Sequence, residues 1–278
     1  MCALIFGCIT PHPPVLVPEI GGERAQEIAA TARGMEALGR ELAEARPQSL
    51  LVVSPHGAYR HSAMGVMTRS SCRGSFDSWG VPGLSFSFGN DLDLVQAIFD
   101  EAGQAGVPLE PIGLDGYDLD WGVTVPMYFL GRGAPGVAIT PLTYSWLPLS
   151  QHVAFGRAIR KASERVDRRV AFIASGDLSH RLIPGAPAGF DPLGQVFDRK
   201  VVEALRAGDA QAILTLDPDL VARAGECGYR SIAILLGALE GLQAQPEVLS
   251  YEGPFGVGYL VASFKVAEAT AATGSSGT

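Results

Sequence analysis

The chain has 278 residues, 47% of them hydrophobic and 18% charged, with a formal net charge of −8. That hydrophobic fraction supports a packed core and excludes a disordered chain. The acidic balance, without a long basic run, argues against a nucleic-acid or anionic-membrane partner.

The four cysteines are Cys2, Cys8, Cys72 and Cys227. Their spacing contains no C-x-x-C, so neither a structural zinc site nor a disulfide framework is expected, and the chain reads as cytoplasmic, in a reducing compartment. Residues 1–9 read as an opening strand and not as a signal peptide, because no basic segment precedes them and Pro11 follows at once. No apolar run is long enough to span a bilayer. Over residues 23–45, Ala25, Ile28, Ala32, Met35, Leu38, Leu42 and Ala45 fall at three- and four-residue steps and predict an amphipathic helix, ended by Pro47. Residues 49–53 are almost wholly apolar, the pattern of a strand covered on both faces.

Asn90 is the expected N-cap of a helix to residue 105, with Asp91 and Asp93 in its first turn. A strand is expected over 137–142 and a helix over 150–166, with His152 on its surface. Residues 170–174 form a second strand of the buried type. Helices are expected over 193–206 and 209–216, a break at Asp217-Pro218, and a buried apolar helix over 229–242. Strands over 248–251 and 258–264 close the chain across a glycine-rich loop. With no helix after it, that loop reads as a tight β-connection and not a phosphate cradle. Strands alternating with helices predict a single α/β domain over residues 1–266, a mixed central β-sheet flanked by helices. The small polar stretch 267–278 reads as a flexible tail.

Three of the five histidines lie in short polar loops after apolar runs: Pro11-His12-Pro13-Pro14, Ser54-Pro55-His56-Gly57 and Ser175-Gly176-Asp177-Leu178-Ser179-His180. Open α/β sheets gather their ligands where such strands end. Two imidazoles and a carboxylate make the facial triad that holds Fe(II) with open positions. Asp177 and Ser179 also suit a helix N-cap, and His61 is close enough in sequence to His56 to line the same pocket. In Ala224-Gly225-Glu226-Cys227-Gly228-Tyr229, Glu226 reads either as a ligand or as an acid at a helix N-terminus. Cys227 beside it is a softer alternative donor, and spacing does not choose between them.

Taken together and in order, these motifs resemble the LigB-type class III extradiol dioxygenases. The strings Gly225-Glu226-Cys227-Gly228-Tyr229-Arg230-Ser231 and Tyr251-Glu252-Gly253-Pro254-Phe255-Gly256-Val257-Gly258-Tyr259 are similar to a narrower branch, the LigB-like proteins of the Memo and AmmeMemoRadiSam group. The resemblance implies His12, His56 and Glu226 as metal ligands and His180 as the acid–base residue. Asp177, Ser179, His61, Trp121 and Cys227 are then expected to stand behind the ligands or to line the pocket. It implies Fe(II), with Zn(II), Mn(II) or copper as other occupants, and ring cleavage of a catechol-like or aminophenol-like aromatic by O2. A homodimer and an AMMECR-type or radical-SAM protein partner are further implications. Memo proteins often carry a cysteine at the third ligand position, and a metal-binding scaffold without ring cleavage, or a Zn-dependent hydrolase, are the rival expectations. One departure stands out. Ring-cleaving members usually show Asp-His-Gly before a Val-Pro segment, whereas this chain has Asp120-Trp121-Gly122 before Val125-Pro126.

Overall fold

Four apolar runs, each closed by a hydroxyl residue, form the parallel centre of the sheet. In the computed structural model, which describes residues 3–58, 60–113 and 119–267, these are β1 (Leu4–Thr10), β2 (Ser49–Ser54), β7 (Ala138–Thr143) and β8 (Val170–Ser175). Shorter strands lie between and after them: β3 (Met64–Met67), β4 (Ser71–Ser75), β5 (Ser85–Gly89), β6 (Leu109–Ile112), β9 (Ala244–Glu252) and β10 (Tyr259–Val266). The main sheet has the order β6-β3-β7-β2-β8-β1-β10-β9, while β4 and β5 pair separately. β7, β2, β8 and β1 are mutually parallel; β3 runs antiparallel to β7 and parallel to β6, and β10 runs antiparallel to both β1 and β9. The chain is thus one α/β domain built on a mixed eight-stranded sheet.

Successive strand residues point to opposite faces, and both faces are covered. Leu51, Val53, Phe172 and Ala174 pack with the helices Leu92–Gln104, Leu149–Arg165, Pro192–Ala207 and Tyr229–Leu239. Leu50, Val52, Ala171 and Ile173 pack with Ala29–Ala45 and Trp121–Leu130 on the other side. Burying one such Val, Leu, Ile or Phe side chain contributes about 1.5–3 kcal/mol, so the two layers hold the central strands rigidly. In the sheet register Thr143 pairs with Ser54 and Thr10 with Ser175, while Val53 and Ala174 align just before. The four hydroxyl residues therefore lie along one edge, and every loop that leaves them emerges on the same side.

Several local expectations are corrected. The 23–45 segment starts as a 3₁₀ helix, Gly22–Ile28, and becomes α-helical only at Ala29. Asp91, not Asn90, caps the next helix by accepting from the Leu94 N–H; Asn90 instead donates to the Met67 and Arg69 carbonyls. Asp217-Pro218 starts a helix, Pro218–Ala224, with Asp217 as its cap. His152 is fully buried, its two ring nitrogens facing the Pro148 and Ser145 carbonyls. The expected 267–278 tail falls, after Ala267, outside the described residues, as do Met1 and Cys2.

Candidate metal centre

The loops leaving β1, β2 and β8 converge. His12 Nε2 and His56 Nε2 lie 3.0 Å apart, and Cys227 Sγ is 3.7 Å from His12 Nε2. One donor atom from each of these three residues falls within 4.8 Å of the others, and the same is true of Asp177, His180 and Cys227. Glu226 belongs to neither group. Its Oε2 accepts the Tyr229 N–H at 2.6 Å, which satisfies the start of the Tyr229–Leu239 helix.

The reason lies in how the turn is docked. Gly176 and Gly228 touch backbone to backbone; a Cβ on Gly176 would stand 2.1 Å from the Gly228 Cα. The Asp177 carbonyl accepts both Cys227 N–H and Gly228 N–H at 3.2 and 2.9 Å. Gly225 closes the preceding helix with φ +61, a left-handed conformation that glycine takes without steric cost. With the turn so fixed, Cys227 faces the histidines and Glu226 faces away. The Asp177 N–H also points at Cys227 Sγ, 3.3 Å away.

Each imidazole is held from behind. Ser175 Oγ lies 2.9 Å from His12 Nδ1, so Nδ1 can donate to the hydroxyl while Nε2 presents its lone pair to the site. The Asp177 carboxylate accepts the His12 backbone N–H. His56 has its backbone N–H on Ser54 Oγ, and that hydroxyl donates to Asp120, which also caps the Trp121–Leu130 helix through Gly122 N–H. Trp121, at the first position of that helix, stacks on the His56 ring at 4.3 Å and 25°. Trp79 meets Trp121 edge-on at 6.2 Å.

Burial sets the protonation. It lowers the His12 pKa to about 3, helped by His180, and the His56 pKa to about 4, helped by His12. Both rings are therefore neutral donors at pH 7. Burial raises Asp177 to about 6, against the pull of His180 and the His12 N–H. It raises the Cys227 thiol well above its ordinary value, with the charges of Asp177 and Glu226 adding to the effect. A bound cation reverses that last preference, because a coordinating thiol is deprotonated outright.

The donor set fits a metal ion. Ring nitrogens about 2.0–2.1 Å and a sulfur about 2.3 Å from a tetrahedral ion would sit about 3.3–3.6 Å from one another, close to the separations seen. His180 is partly exposed, with Nε2 4.0 Å from Asp177 Oδ2 and a buried Nδ1 that has no partner. It stands beside the donors and not among the first three. Ser179 turns inward: its N–H donates to Asp198 and its hydroxyl to the Ala224 carbonyl. His61 is exposed on the surface, its carbonyl bonded to the Trp146 N–H.

Of the supports, Asp177 and Trp121 were among the sequence candidates, whereas Ser175, Asp120 and Asp198 were not. Asp198 carried a readable signal, since it falls on the apolar face of its helix at the spacing of Gly194, Val201, Val202 and Leu205. It is fully buried and accepts both the Ser179 N–H and the Tyr251 hydroxyl. Ser175 and Asp120 carried none, because their partners are distant in sequence. If Ser175 orients His12, Ser175→Ala should weaken metal affinity about 10–100-fold with little change in thermal stability; competition titration against a chromogenic chelator reads the shift.

The chain spans about half the length of one curated relative, the protein CA_C1420 of Clostridium acetobutylicum: the two are 35% identical over 258 residues, 90% of this chain and 55% of that protein. The 3,4-dihydroxyphenylacetate 2,3-dioxygenase of Escherichia coli is 24% identical over 243 residues, 83% of this chain and 88% of that enzyme. The solved structure of the uncharacterized protein JW3007 from Escherichia coli K12 shares the fold, with a TM-score of 0.55 and 16% identity over 93% of this chain and 99% of that one. No helix among the described residues is long and apolar enough to cross a membrane. Residues 7–262 match the model of the catalytic LigB subunit of aromatic ring-opening dioxygenase, and the chain belongs to that family.

Proposed function

We propose that the chain is a metal-dependent dioxygenase-type enzyme that opens a catechol-like or aminophenol-like ring, with the metal on His12, His56 and Cys227 and with His180 moving protons. The observation that carries this reading is the convergence of two neutral Nε2 atoms and Sγ at one point of the sheet edge, beside His180. A bound Fe(II) would supply the acidification of a phenol and the one-electron chemistry that O2 requires. The chain's own residues do the rest. Ser175 and the Ser54–Asp120 pair orient the rings. Asp177 lies between His12 and His180, 3.8 and 4.0 Å from their Nε2 atoms, and stabilises His180 when it holds a substrate proton. Trp121 gives the open side a flat apolar wall for an aromatic ring.

A specific observation favours a second reading. A thiolate in place of the carboxylate suits Zn(II) or copper as well as iron, and a cysteine donor is the choice that a likeness to Memo-type proteins would imply. On that reading the site holds metal without ring cleavage. The longer clostridial relative has sequence beyond the match, which supports placing a second unit beside this domain; an AMMECR-type or radical-SAM protein, and a second copy of this chain, are the partners proposed. O2 uptake by anaerobically Fe(II)-loaded protein over a panel of catechols and aminophenols tests the function. Substrate-dependent uptake with a coloured ring-opened product is expected; full iron occupancy with no uptake across the panel would favour the second reading.

A further inference from the structure

A cavity of about 790 Å³ lies behind the 225–228 turn, between the segment after β7, the helices Ala210–Leu214 and Pro218–Ala224, and the start of the Tyr229–Leu239 helix. None of His12, His56, Asp177, His180 or Cys227 lines it, so it is separate from the metal centre. Its volume is that of sites for small organic ligands, which are mostly apolar with a few placed polar groups.

The walls are of that kind. Leu149, Leu214 and Val221 are among the apolar lining residues, and Trp146 and Arg230 stand together at one side. The Arg230 guanidinium lies 4.2 Å from the Trp146 ring centroid and 5.9 Å from that of Tyr144. A guanidinium held over an aromatic face is attracted to the ring while its planar fork of N–H donors can match the two oxygens of a carboxylate. Among the described residues, Arg230 is the one cationic residue of the lining. The one acid of the lining among the described residues, Glu226, accepts the Tyr229 N–H and lies within electrostatic reach of Arg230.

This composition selects a ligand class. A cation would face Arg230. A polyanion would find no second positive group and would meet Glu226. A fully apolar molecule would leave the guanidinium unmatched. We infer that this cavity binds a small organic monocarboxylate with an aromatic or aliphatic body, its carboxylate on Arg230 and its body among the leucines and Val221. The inference goes beyond the metal chemistry and stands without it.

Calorimetric titration of the full chain with 4-phenylbutyrate, and with 4-phenylbutanamide as a neutral probe of the same shape, tests it. Saturable one-to-one binding of the acid is expected. The amide should bind at least about tenfold more weakly, since a hydrogen bond to a charged group is worth more than a neutral one. Arg230→Met should bring the acid down to the level of the amide and leave the amide unchanged. Val221→Trp, which fills the cavity, should abolish both. Any of three results would overturn the inference: no saturable binding of the acid at millimolar concentration, equal affinity of wild type for acid and amide, or an Arg230→Met chain that binds the acid as wild type does. The comparison of the two probes uses the wild type alone, so it holds even if a variant folds poorly.

Discussion

Cys227→Ser is expected to lose metal, whereas Glu226→Gln is expected to keep it. The thiol of Cys227 stands 3.7 Å from His12 Nε2 with the Asp177 N–H directed at it, while Glu226 is turned to the start of its helix. Removing one of three donors should lower affinity by at least about a hundredfold, more than the 10–100-fold typical of residues that only orient a ligand. Glu226→Gln keeps an oxygen that can accept the Tyr229 N–H, so the turn should stay in place. The check is metal per chain after anaerobic Fe(II) or Zn(II) loading and desalting, alongside circular dichroism to confirm the fold. Loss of metal in Glu226→Gln with retention in Cys227→Ser would restore the carboxylate triad that the family resemblance implies.

His180→Ala is expected to leave metal content near wild type and to abolish turnover. His180 lies on the fringe of the donor cluster, partly exposed, with its Nδ1 unpartnered and Asp177 beside its Nε2. On the proposed function, such a residue would meet the substrate and pass a proton to solvent. Losing a positioned acid or base typically costs about 10²- to 10⁴-fold in rate. Initial O2-uptake rates at saturating substrate, measured on variant and wild type with matched metal content, read this. Equal rates would remove His180 from the chemistry, and loss of metal would make it a ligand.

What the sequence revealed and what it hid follow from the range of the forces involved. The strands expected at 49–53 and 170–174 lie within β2 and β8, because a strand covered on both faces is apolar throughout. The helix Trp121–Leu130 was not foreseen: it contains Pro126 and is buried on nearly every side, so no polar face marks its period. The short strands were missed for local reasons as well. β6 contains Pro111, and β4 and β5 are rich in serine and glycine. The surface position expected for His152 failed because Ser145 and Pro148 fold over the start of its helix.

The loops that meet at the sheet edge were legible, since each follows an apolar strand and carries a histidine. The choice of third donor was not. The orientation of the adjacent Glu226 and Cys227 side chains is set by the contact of Gly176 with Gly228 and by the hydrogen bonds of the Asp177 carbonyl, which turn Cys227 inward. No spacing within 224–229 encodes that.

X-ray absorption at the metal edge of the loaded wild-type protein tests the proposed centre most directly. The account predicts two imidazole nitrogens and one sulfur at about 2.3 Å, with the sulfur shell missing in Cys227→Ser. A wild-type first shell of nitrogen and oxygen alone would contradict it.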